Sequence, residues 1–184
     1  MSEELLVHYC APTLAGLKTG NLFTWPYDSK EQVANCIRAW NRVLVPKGLR
    51  VLPMGYTKGR VLIYVYRPAG LTADLSREEV QSILKEAGYS CLSESYCVAE
   101  LARRLKETAE FPHEIGLFLS YPPEDVRGFI RHGGANCKCI GCWKVYGDAE
   151  QAKRTFRCYQ RCTDHLCARF HSGADLAELT VSVG

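Results

Sequence analysis

The sequence has no apolar stretch near the roughly 20 residues a membrane-spanning helix needs. Its longest apolar runs, residues 61–66 (VLIYVY) and 115–119 (IGLFL), are strand-sized. Charge of one sign is also scarce: 23 Lys and Arg face 20 Asp and Glu, a formal net charge of +3. With 47% hydrophobic residues and three Trp, ten Tyr and six Phe, that balance excludes a solvated, disordered chain. There is no Gly-x4-Gly-Lys-Ser/Thr loop, Gly-x-Gly-x2-Gly turn, Gly-x-Ser-x-Gly elbow or His-Glu-x2-His pair. These absences argue against P-loop nucleotide hydrolysis, standard dinucleotide binding, serine esterase chemistry and zincin proteolysis. The acidic start, Met1-Ser2-Glu3-Glu4, lacks the basic and apolar regions of a secretory leader, so a cytoplasmic protein is expected.

What the chain has in excess is cysteine, ten in 184 residues. In a reducing compartment these do not form a disulfide framework, and a chain of this length has no need of one. Cys10, Cys36, Cys91 and Cys97 are scattered and fit small buried hydrophobes. The other six, Cys137, Cys139, Cys142, Cys158, Cys162 and Cys167, crowd into a Cys-rich, basic segment at 134–171.

The pattern of the rest predicts one layered domain over 1–184, α/β or α+β, with a small sheet of about four strands flanked by helices. Strands are expected near 50, 61, 115 and 142, the second central because it is apolar throughout. A short helix carrying Leu5, Leu6 and Tyr9 is expected to end before Pro12, with a second helix starting at 10–18. Asp28 or Ser29 caps a helix with Val33, Ile37 and Trp40 on one face, and Ser76 with Glu79 forms a capping box. Further helices are expected over about 95–108, after Pro122-Pro-Glu-Asp125, where acids meet the positive helix end, and from Asp148 to about Cys162.

Five strings resemble, together, an uncharacterised family of small proteins from anaerobic Firmicutes known as a domain of unknown function. They are CAPTLAG at 10–16, LIYVYRP at 62–68, FPHEIGLFL at 111–119, YPPEDV at 121–126 and GCWKVYGD at 141–148. The resemblance covers nearly the whole chain. It implies an anaerobic bacterial cytosol and, through the company of flavodoxins and iron uptake systems, a place in iron or redox metabolism.

Three functional readings follow from the residues. In the first, Cys139-x2-Cys142 and Cys162-x4-Cys167 supply four thiolates to zinc or an iron–sulfur cluster, with Cys137 and Cys158 as spares, and the protein is a carrier or accessory module. The two metals are not separable on spacing, and reduced packing thiols are the plain alternative. In the second, Cys10 lies just before a helix start, where its thiolate is stabilised, and His113 at the mouth of a buried strand activates it for hydrolysis or transfer. Residues 113–119 resemble the histidine strand of papain-like cell-wall endopeptidases. In the third, the segment 131–170, with eight Lys and Arg against three acids, is a basic face for an acidic redox partner such as a flavodoxin. Nucleic acid is the lesser alternative for that face, and a solvated helix the plain one.

Overall fold

The computed structural model describes residues 2–57, 59–90, 92–107 and 111–182. Cys91 and Thr108, assigned above to packing and to a helix end, lie outside the described residues. The chain forms two compact units, one within residues 1–69 and 161–184, the other within 70–160.

The first unit is built on an antiparallel sheet of β1 (Gly20–Pro26), β2 (Arg50–Thr57) and β3 (Arg60–Tyr66) in the order β1-β3-β2. The wholly apolar strand β3 is central, as its composition predicts. The edge strand β1, with Thr24 exposed and Pro26 at its end, is the strand the sequence pattern did not mark. The helices α1 (Ser2–Leu14) and α2 (Lys30–Leu44) join this sheet. Ser29 caps α2, its Oγ accepting the Gln32 N–H at 3.1 Å, while Gln32 Oε1 accepts the Asp28 N–H at 3.2 Å. Val33, Ile37, Trp40 and Leu44 then fall on the buried face at helical spacing. Asn41 fixes α2 to β2 by donating to the Val51 carbonyl and accepting the Val51 N–H, both at 2.9 Å.

The expected break before Pro12 does not occur, because α1 runs through it. An interior proline costs a helix about 3 kcal/mol. Leu6, Val7, Cys10, Ala11 and Leu14 are all fully buried in the core on this helix, and their burial outweighs that cost.

Arg67, at the end of β3, is buried with no carboxylate beside it in the described hydrogen bonds. Its guanidinium donates to the carbonyls of Thr13 at 2.9 Å, Leu14 at 3.0 Å, Lys47 at 3.2 Å and Val181 at 2.8 Å. Two of these carbonyls, which also accept the backbone N–H groups of Gly16 and Val181, lie at the C-terminus of α1, where the helix dipole favours a cation. One side chain thus ties together α1, the 3₁₀ turn at Val45–Lys47 and the C-terminal segment. Burial lowers its pKa from the ordinary guanidinium value, yet arginine stays charged.

The second unit is mostly helical. It contains α3 (Pro68–Leu75) from Gly70 onward, α4 (Glu78–Glu86), α5 (Glu94–Glu107), α6 (Ile115–Phe118) and α7 (Pro123–His132). A hairpin of β4 (Cys139–Ile140) and β5 (Lys144–Val145) follows, then α8 (Ala149–His171), which from Arg161 onward belongs to the first unit. The strand expected at 115–119 is instead the single buried turn α6: a run of five apolar residues fits a buried turn as well as a strand, and Pro112 and Pro122 leave no length for a ladder. The expected capping box is not made either. Arg77 takes the cap position of α4, and Ser76 Oγ donates to the Ala73 carbonyl at 2.7 Å, closing α3. Among the described residues no helix is long and apolar enough to cross a membrane.

Replacing Arg67 with Leu should lower the unfolding free energy by roughly 2 kcal/mol, since four carbonyls lose a charged donor while those of Thr13 and Leu14 keep backbone N–H partners from Gly16 and Val181. Chemical denaturation checks this, and Arg67→Lys should recover only part of the loss because an ammonium presents no planar fork.

Candidate functional site

The second unit holds an open cavity of about 400 Å³ between α6, α7 and the β4–β5 hairpin. Phe111, Ile115, Tyr121, Val126, Phe129 and Trp143 make its wall almost wholly apolar. Two apolar side chains at its rim are unusually exposed, Phe111 at 56% and Ile140 at 71%. His113 and Lys144 are its basic groups, and both approach Phe129. The His113 ring stands edge-on to Phe129 with centroids 4.9 Å apart, and Lys144 Nζ lies 5.7 Å from the Phe129 centroid. Lys144 Nζ donates to the Gly134 carbonyl at 2.7 Å, and its ammonium has two further N–H groups.

One buried carboxylate builds this wall. Asp125, in the first turn of α7, accepts the Trp143 indole N–H on Oδ2 at 2.6 Å. Its Oδ1 accepts the backbone N–H groups of Tyr146 and Gly147, each at 2.7 Å. Three donors compensate its desolvation, and the hairpin end is pinned to α7 in return. Trp143 is thereby held flat against Tyr121, with centroids 4.9 Å apart at 29°, and edge-on to Phe156 at 4.6 Å. Val145 and Ala152 complete this small core.

Close approach needs glycine at several positions, Gly128 and Gly116 among them. A Cβ on Gly128 would stand 2.6 Å from Tyr146 Cβ, and one on Gly116 would stand 2.8 Å from Val126 Cγ2. Burial, with the Cys142 thiol nearby, pushes the Tyr121 phenol up to about 12, so it stays protonated and donates to the Cys142 carbonyl at 3.2 Å.

The residues singled out in the sequence are distributed as follows. Cys10 is not at a helix start: it lies inside α1, is 0% exposed in the core, and burial pushes its thiol pKa far up. The accessible, activated thiol expected there is therefore not what the fold provides, because the helix begins at Ser2. His113 is exposed in the turn before α6 rather than at the mouth of a strand. Cys139 is half-buried on β4 and Cys142 exposed in the hairpin turn, both in the second unit. Cys162 and Cys167 are half-buried on α8 and pack against the core of the first unit. Among the described residues no group of three or more His, Cys, Asp or Glu side chains is gathered to hold a metal ion.

The family described as "Protein of unknown function (DUF3793)" matches residues 6–180. The chain belongs to this family. No curated protein and no solved structure matches it. In this DUF3793 chain the residues that sequence reasoning missed are Asp125, Phe129 and Lys144. The YPPEDV string places Asp125 in a helix first turn, where an acid reads as a dipole partner. Glycines flanking Trp143 in GCWKVYG were the available signal that a backbone packs closely there.

Asp125→Asn should destabilise the protein by about 2 kcal/mol, because the new amide N–H₂ must face either the indole or the backbone N–H groups. Denaturant unfolding measures the loss, and Asp125→Ala should cost more.

Proposed function

We propose that this protein binds a small molecule with an apolar ring or chain and one anionic group, held in the cavity of the second unit. The cavity with its exposed apolar rim carries this reading. At about 400 Å³ it falls in the size range of small-ligand pockets. Solvent-exposed Phe111 and Ile140 extend the apolar wall to the cavity mouth, the kind of apolar patch that marks a binding site. Phe129 and Trp143 offer aromatic faces for the apolar part, while Lys144 and His113 favour an anionic end over a cationic one. Asp125 keeps its negative charge, but its oxygens face three N–H donors whose dipoles weaken its field at the cavity. The carrier expectation built on Cys139, Cys142, Cys162 and Cys167 has no gathered ligand set behind it among the described residues, and Cys10 brings no exposed thiol to the hydrolase expectation.

The dye anilinonaphthalene sulfonate, an aromatic sulfonate, is a suitable probe. One dye per folded chain should bind saturably, with the unfolding transition still cooperative. Phe129→Ala should weaken that binding, and Lys144→Met should weaken it while sparing a neutral apolar dye. Binding that does not saturate, or that ignores both substitutions, contradicts the proposal.

A further inference from the structure

The second unit has another cavity, of about 740 Å³, lined from α4, α5, the turn before α6, and α7. Ile83, Pro112 and Ile130 give it apolar sides, and Phe111 and His113 line both this cavity and the apolar one. Its most enclosed charged group is the Glu114 carboxylate, on a side chain only 8% exposed. Oε1 accepts the Tyr89 hydroxyl at 3.2 Å and an Arg104 N–H at 3.3 Å, both long for a charged acceptor. Among the described residues nothing donates to Oε2. No fully buried side-chain oxygen or nitrogen there lacks a partner, so Oε2 keeps an opening to the cavity that Glu114 lines. We propose that this cavity binds a small organic amine, its ammonium group donating to Glu114 Oε2 and its apolar body lying against Ile83, Pro112 and Ile130.

The charges around Glu114 favour a cation over an anion. Arg104 is shared between Glu100 and Glu114, and Arg103 between Glu100 and Glu107, so three carboxylates face two guanidinium groups in these linked ion pairs. Arg104 is also held by the Ala87 carbonyl at 2.7 Å and stands over the Tyr89 ring, 4.4 Å from its centroid. Its guanidinium is thus engaged within the wall. The other charged pair, Arg127 with Glu86, is neutral as a unit, and Glu86 accepts from Ser82 as well. Burial first, and then the charge of Glu114, pushes the Tyr89 pKa up, so the phenol stays protonated and donates to the carboxylate.

Size and chemistry narrow the ligand further. A cavity of this volume is in the range of small-molecule sites, and an ammonium ion alone would leave most of it empty. A hydrogen bond in which both donor and acceptor are charged is shorter and stronger than a neutral one, so an amine gains more at Oε2 than an alcohol of the same shape. This preference is opposite in sign to that of the apolar cavity. The assignment uses neither Lys144 nor Phe129, so it stands whether or not the apolar cavity is filled.

The test is titration of the full, nitrogen-15-labelled chain with phenethylamine at neutral pH, followed by nuclear magnetic resonance, with 2-phenylethanol as the neutral counterpart. Phenethylamine should saturate one site and shift the backbone signals of Ile83, Glu114 and Ile130. It should bind about tenfold or more tightly than 2-phenylethanol, the factor a charged hydrogen bond supplies. Glu114→Gln keeps an acceptor for Tyr89 and Arg104 but loses the charge, and should remove that advantage. Ile130→Arg, at a position 45% exposed, adds a cation to the lining without touching Glu114 and should also weaken the amine. Lys144→Met, which weakens dye binding in the apolar cavity, should leave phenethylamine affinity unchanged. Absence of saturable binding, equal affinity for the alcohol, affinity unmoved by Glu114→Gln or Ile130→Arg, or affinity lost in Lys144→Met would each overturn the assignment.

Discussion

Burying a carboxylate in an apolar setting costs several kcal/mol unless donors surround it. Around Asp125 those donors are an indole N–H and two consecutive backbone N–H groups. Because all three come from the hairpin and the turn after it, the demand of one charge fixes where that segment lies on α7. A two-residue ladder such as β4–β5 has too few hydrogen bonds to hold its own position. Trp143 takes its place from Asp125, and Tyr121, Phe156 and the wall of the cavity take theirs from Trp143.

The first unit solves a related problem with the opposite sign. Arg67 is a buried cation whose described partners are carbonyl dipoles, two of them at the end of α1 where the helix field is negative. It gathers segments far apart in sequence, which a three-stranded sheet does not do alone. The thiols of this unit fit the same picture of a crowded interior: Cys10 is core, and Cys36, Cys162 and Cys167 pack against it. Cys167 also meets His8, its Sγ 3.9 Å from the ring Nδ1.

Legibility in the sequence followed the strength of local signals. The helix α2 was readable because a cap, a four-position apolar stripe and a Pro-Gly stop agree, and the strand β3 because seven residues are nearly all apolar or aromatic. At 115–119 the apolar run was too short to distinguish a strand from a helical turn, and the buried turn won. At Pro12 and again at Cys162 tertiary burial carried helices past points where local rules ended them. The Cys-x2-Cys spacing was plain, yet it lies in a hairpin turn with Cys142 exposed. The cavity was not legible at all, since Asp125 and Trp143 are 18 residues apart and their hydrogen bond has no local signature.

The cavity depends most on Trp143 being held at Asp125 and forming a ligand-facing wall. Nuclear magnetic resonance of the three tryptophan indole N–H groups, assigned by substitution and followed during titration with anilinonaphthalene sulfonate, tests this directly. The Trp143 indole proton should exchange slowly with solvent, and its signal should shift on titration while those of Trp25 and Trp40 stay in place. A rapidly exchanging Trp143 indole, or one that the dye leaves unmoved, would contradict the account.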